Sequence, residues 1–307
     1  VINELPDLQA RIQVALFNIL QEGDIQIRGF KLRLPLDMQF IFTANPEDYT
    51  NRGSIVTPLK DRIGSQILTH YPETIEVAKT ITSQEAALDG RQSSTIFIPE
   101  LAKDILEQIV FEARKSEFVD VKSGVSARLS ITAFENLVST AERRLLHSGD
   151  DKTGIRMSDF IGIIPAITGK IELVYEGEQE GAYSVALTLL GSAIKTLYSK
   201  YFPKIEKLEK QGVETPYDEI VSWFFNTSDD FEILDDVQEK DYKIILGKVK
   251  PLSDFIKKFK EDLQPNEVCF WQEFVLWSLV EYKKLNKYRY AEGIQFKDPY
   301  GSFISGL

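Results

Sequence analysis

Of 307 residues only one is cysteine, Cys269, and two are histidine, His70 and His147. A single thiol cannot form an internal disulfide framework. One thiol and two imidazoles also fall short of the ligand set of a structural zinc site. Long apolar runs are missing: Phe40–Phe42 and Ile161–Ile164 lie far below the roughly 18 residues that a membrane-spanning helix needs. Positive charge is in short supply. There are 36 basic against 47 acidic residues, a formal charge of −11, and neither half is basic, with 19 against 24 up to Tyr175 and 17 against 23 beyond it. That balance argues against a nucleic-acid footprint. No basic-then-apolar leader opens the chain, so a cytoplasmic protein without membrane attachment is expected. Val1 in place of a methionine, and a pattern already under way, predict a piece of a longer chain. What is present is ordinary globular usage, 43% hydrophobic and 27% charged, with length for about two domains.

Leu8, Ile12, Leu16 and Ile19 recur at helical spacing after Pro6-Asp7, and Gly23 ends the run, which predicts a helix over 8–21. Asp24–Arg28 and Phe30–Leu34 alternate around Gly29 and predict a β-hairpin. Met38–Ala44 is a short apolar run suited to a buried strand. From Thr74 the spacing turns helical over 75–87, 99–115, 130–147 and 158–168, the last containing Pro165. Glu176-Gly-Glu-Gln-Glu-Gly181 has the composition of a linker. Helices are predicted again over 182–201 and 268–285. Phe270, Phe274, Trp277 and Leu285 form the stripe of the second, a pattern that belongs to a core rather than a ligand box. The acidic run 228–241 reads as a solvated loop or helix edge, and the chain after Asn286 as a loosely packed tail. Cys269, beside Phe270 and Trp271, reads as a buried inert thiol.

The first half of the chain carries a resemblance. Ile2-Asn-Glu-Leu-Pro-Asp-Leu-Gln-Ala-Arg-Ile-Gln13 resembles the segment after the Walker B carboxylates in AAA+ ATPases of the magnesium-chelatase, MoxR and sigma-factor-activator group. The hairpin at 24–34 is similar to their pre-sensor hairpin, and Phe40-Ile-Phe-Thr-Ala-Asn-Pro46 to their sensor 1 strand. Pro58-Leu-Lys-Asp-Arg-Ile-Gly64 resembles the arginine-finger segment, and Gly124-Val-Ser-Ala-Arg128 the sensor 2 motif that opens a lid helix. Order and spacing carry the likeness over residues 2–170; no single motif does. The resemblance implies that Asn45 orients the attacking water and meets the γ-phosphate, against the plainer role of a turn residue before Pro46. It implies that Arg62 reaches a neighbour's γ-phosphate, against a plain ion pair with Asp61. It implies that Arg128 meets the nucleotide from the lid, in its own subunit or the next, and makes Arg52 a weaker candidate for a subunit contact. A planar guanidinium fork suits phosphate, and such hydrolysis is mostly positioning and charge stabilisation. ATP and Mg2+ are the implied cofactors, and no metal ligand is assigned within this chain.

The departures are as definite. Gly169-Lys170 and Gly247-Lys248 are the only Gly-Lys pairs, and Ile171 and Val249 follow them, so no Walker A phosphate loop is present. Glu4 is assigned to the segment after the strand and not to catalysis. ATP and Mg2+ would therefore need residues upstream of Val1. The expected fold class is α/β then mostly α: a truncated P-loop AAA+ core over 1–72, a helical lid over 73–175 and an added C-terminal helical domain over 181–307. That last region holds all three tryptophans, Trp223, Trp271 and Trp277, with sixteen lysines and one arginine, Arg289. The expected activity is ATP hydrolysis in the longer protein, assembled as a ring, a hexamer by family habit. The ring would remodel a partner protein, with a metal-dependent adhesion (von Willebrand A type) domain as the partner suggested by analogy. The alternative is a catalytically inactive relic that serves as a scaffold or regulator.

Overall fold

The computed structural model describes residues 1–27, 29–33, 38–45, 55–205, 215–227 and 230–299. It is mostly helical with small sheets, and it separates into two compact units, Val1–His70 and Tyr71–Leu307. Among the described residues no helix is long and apolar enough to cross a membrane.

In the first unit, Ile2 pairs in parallel with Phe42. The Ile2 N–H donates to the Ile41 carbonyl at 2.8 Å, the Thr43 N–H to the Ile2 carbonyl at 3.0 Å and the Leu5 N–H to the Thr43 carbonyl at 2.9 Å. Phe40 and Phe42 stack on one side of this extended stretch, 6.1 Å between centroids, as alternate residues of a strand do. A 3-10 turn at Leu5–Asp7 leads into α1, Ala10–Glu22, which Gly23 closes. The hairpin follows as β1, Asp24–Ile27, antiparallel to β2, Phe30–Arg33, with Ile25 opposite Leu32. A single helical turn, α2 at Thr57–Lys60, begins with Pro58 in its first turn. Leu5, Gln13 and Leu59 are buried here.

The second unit opens with α3, Ile75–Glu85, capped by the Thr74 hydroxyl accepting from the Val77 N–H. A capping box of Asp89 and Gln92 starts α4, Gly90–Thr95, as such pairs do by satisfying two orphan N–H groups. β3, Ile96–Phe97, precedes α5, Glu100–Ala113, and α6 runs from Arg128 to Ser148. β4, Thr153–Gly154, returns parallel to β3. Residues 158–168, expected as one helix, fall into a 3-10 helix, Met157–Ile163, and α7, Ile164–Thr168. Pro165 explains the division, because it has no N–H to donate and is tolerated only in a first turn.

The expected linker is helical: α8 spans Tyr175–Glu180 and joins α9, Ala182–Tyr201, at Gly181. Gly177 lies so close to the Phe118 carbonyl that a Cβ there would sit 2.5 Å from its oxygen. Its place in the sequence reflects close packing rather than looseness. Beyond lie α10 (Asp218–Asn226), β5 (Phe231–Leu234), α11 (Glu239–Gly247), α12 (Lys250–Phe259), α13 (Val268–Glu281), β6 (Asn286–Tyr290) and β7 (Gly293–Lys297). The three strands form an antiparallel sheet in the order β5-β7-β6. The expected loose tail is therefore a hairpin over 286–297, with Ile294 and Phe296 buried. Part of the acidic run is a strand, with Phe231 and Ile233 facing inward.

One cluster of buried side chains runs from Ile96 to Phe296. α9 packs on α5 and α7, and α13 packs on α9. Residues 73–175 and 181–299 thus contribute to one core. Phe270, Trp271, Phe274 and Trp277 lie inside that core.

Candidate functional site

The parallel pairing of Ile2 and Phe42 sets the ends of two extended stretches side by side. Asn3 and Glu4 leave one end, and Thr43, Ala44 and Asn45 leave the other. The Glu4 N–H donates to Thr43 Oγ1 at 3.1 Å, and that hydroxyl donates to Asn3 Oδ1 at 3.4 Å. The contact of Ile2 with Phe42 is a single parallel bridge outside the named strands. Asn45 is exposed there. Glu4 follows the bridge, in the segment to which the sequence assigns it, and its N–H bonds to Thr43. Its backbone is left-handed, φ 52° and ψ 54°, an uncommon state for a residue with a Cβ.

Arg62 follows α2. Its guanidinium pairs with Asp61 and lies over the Phe17 ring of α1 at 5.4 Å. The ion pair weighed from sequence is therefore made, and the cationic fork stays exposed. Arg52 lies outside the described residues, as do Pro46 and Leu34.

Arg128 is the first residue of α6 and is exposed. The loop before it is built with care. Gly124 has φ +70°, and a Cβ there would come within 2.5 Å of the Tyr71 hydroxyl, so both conformation and space call for glycine. The Tyr71 hydroxyl accepts from the Val125 N–H at 3.0 Å. Arg114 lies over the Tyr71 ring at 4.1 Å and donates from Nε to the Val125 carbonyl at 3.2 Å. Asn45 and Arg62 belong to the first unit and Arg128 to the second.

The described residues contain no group of three or more His, Cys, Asp or Glu side chains placed to hold a metal. His147 is exposed in the last turn of α6. Burial pushes the Cys269 thiol up to about 11, which fits an inert thiol, since the thiolate is the nucleophile.

Sequence reasoning missed a buried ionic cluster in the second unit. Arg144 pairs with Asp159 at 2.8 Å and also donates to Thr153 Oγ1 at 2.5 Å and the Gly154 carbonyl at 2.7 Å. The Asp159 carboxylate accepts from the Arg156 N–H at 2.8 Å. The Arg156 side chain, 1% exposed, lies over the Tyr242 ring at 4.1 Å and donates to the Val237 carbonyl at 3.0 Å. Glu273, fully buried on α13, accepts from the Met157 N–H at 2.9 Å and the Tyr242 hydroxyl at 2.7 Å. Burial holds its carboxyl above the ordinary glutamate range, against the opposing pull of those two donors. The signal in the sequence was Gln272-Glu273 inside an otherwise apolar helix, a place where a charge needs partners.

No family model, curated protein or solved structure matches the chain.

Proposed function

We propose that this chain is the C-terminal part of an AAA+ ATPase of the magnesium-chelatase, MoxR and sigma-factor-activator group. It would act in the cytoplasm as an oligomeric ring that couples ATP binding and hydrolysis to remodelling of a partner protein. The observation that carries the reading is the parallel pairing of Ile2 with Phe42. It supports a nucleotide-facing edge bearing Asn45, with the finger segment of Arg62 packed on α1 nearby in the same unit. Residues 1–72 would be the end of the α/β core and 73–175 the lid, from which Arg128 reaches the nucleotide.

The sequence has no Gly-x-x-x-x-Gly-Lys loop, and the described residues hold no group placed for a metal, so no step is derived through ATP or Mg2+. What the chain offers is its own. Asn45 supplies an amide that can hold a water or an oxygen in one orientation. Arg62 supplies a permanent cation with a planar fork.

In the complete, assembled protein, Asn45→Ala slows turnover more than it weakens binding. Arg62→Ala lowers hydrolysis by about 10³-fold or more. An assembled Arg62→Ala protein that hydrolyses ATP at the normal rate refutes the reading. The absence of a Gly-x-x-x-x-Gly-Lys motif from all 307 residues favours the second reading, an inactive scaffold. The chain alone should bind ATP weakly or not at all, and calorimetry showing low-micromolar affinity would contradict both the missing cradle and the proposal built on it.

A further inference from the structure

Gln13 and Phe17 lie four residues apart on α1, and so on one face. Both touch the segment that carries Arg62. Gln13 is 1% exposed. Its Oε1 accepts from the Val56 N–H at 2.8 Å, while its Nε2 donates to the Leu8 carbonyl at 2.9 Å. Val56 is the residue on which α2 begins, and no side chain of its own caps that turn. Three residues on, Leu59 is fully buried. Three residues further, Arg62 lies over Phe17. A buried amide is costly unless both its ends are satisfied, and here both are. One end binds the Leu8 carbonyl just before α1; the other holds a backbone N–H 43 residues away.

We propose that Gln13 is a positioning residue for Arg62. Its amide fixes the entry to α2, so that the one-turn helix can present the guanidinium in a single place. This rests on the reading of Arg62 as the cation that meets a neighbour's phosphate. An apolar residue of the same length could fill the space, but it could not hold Val56.

The test is a double-mutant cycle in the complete, assembled protein, with Gln13→Met, Arg62→Ala and the combination. Gln13→Met keeps the length and removes both hydrogen bonds. The expected result is a fall in kcat on the order of 10–100-fold, the scale on which misplacing a catalytic group acts. KM for ATP stays unchanged, and amide exchange at Val56 is faster. Adding Gln13→Met to Arg62→Ala then causes no further loss, because residues acting through one another are not additive. A role in folding alone would not produce that pattern. Wild-type kcat in Gln13→Met, or losses that multiply in the double variant, overturns the proposal. If Arg62→Ala alone turns over normally, the reading of Arg62 fails instead. Exchange at Val56 then decides separately, and an unchanged rate in Gln13→Met overturns the clamp.

Discussion

Glu273 offers a sharp test of how the second unit is held together. The carboxylate is fully buried on α13 and is the acceptor for two donors, the Met157 N–H at 2.9 Å and the Tyr242 hydroxyl at 2.7 Å. It therefore ties α13 both to the 3-10 helix after β4 and to α11. Glu273→Ala leaves both donors without an acceptor, at about 1–3 kcal/mol each, so the loss should be about 2–6 kcal/mol before any cavity is counted. Glu273→Gln keeps an acceptor and removes the charge. Burial raises the folded-state pKa of Glu273 above its unfolded value. The native state then binds more protons than the unfolded state between those two values, so stability falls as pH rises. The contribution is fully present below the unfolded pKa and is lost as pH climbs through the folded one. Glu273→Gln does not titrate, so its stability relative to wild type should improve steadily from pH 4.5 upward. Urea unfolding followed by the fluorescence of Trp271 and Trp277, in the same helix, measures both effects. Parallel stability curves for wild type and Glu273→Gln across that range would show that the carboxyl carries no proton linkage, and the reasoning would fail.

Other expectations follow from the same packing. Asp159→Asn leaves the buried Arg144 cation uncompensated and should cost about 3–5 kcal/mol, read as a lowered urea midpoint. Gly124→Ala should destabilise by about 1–2 kcal/mol for the left-handed backbone alone, with more from the Tyr71 contact, and differential scanning calorimetry reads the drop. Cys269, with its thiol pushed up to about 11 by burial, should react slowly with a disulfide reagent at pH 8 and at the ordinary rate once unfolded in urea.

Much of the fold was legible because strong periodicity coincides with burial. α5, α6, α9 and α13 lie where the 3.6-residue spacing of Ile105, Phe134, Leu189 and Phe274 with their neighbours put them. β5 was hidden because its alternation lasts four residues within an acidic run. Only Phe231 and Ile233 report it, while Glu232 faces out to Gln295 at 3.1 Å. The hairpin of β6 and β7 was hidden by lysine and arginine on β6. The linker composition at 176–180 misled because glutamates on an exposed helix and glutamates in a coil look alike in sequence. Of the candidate site, Asn45, Arg62 and Arg128 were named only through the resemblance. That the Glu4 N–H bonds to Thr43 could not be read in the sequence, because the pairing of Ile2 with Phe42 joins residues 40 apart. Long-range partners such as Met157 and Glu273 leave no local mark at all.

The shared core also bears on how the chain is made. α5 ends at Ala113 and α13 begins at Val268, and a ribosome working at roughly 5–20 residues per second needs on the order of 10–30 s to synthesise what lies between them. During the first part of that interval Leu101, Ile105 and Ile109 lack the layer formed by α9, and α9 in turn lacks α13 until the interval ends. The nascent second unit is thus a sticky intermediate, the kind of species that chaperones retain, and a slow stretch of translation between α5 and α13 would lengthen its exposure.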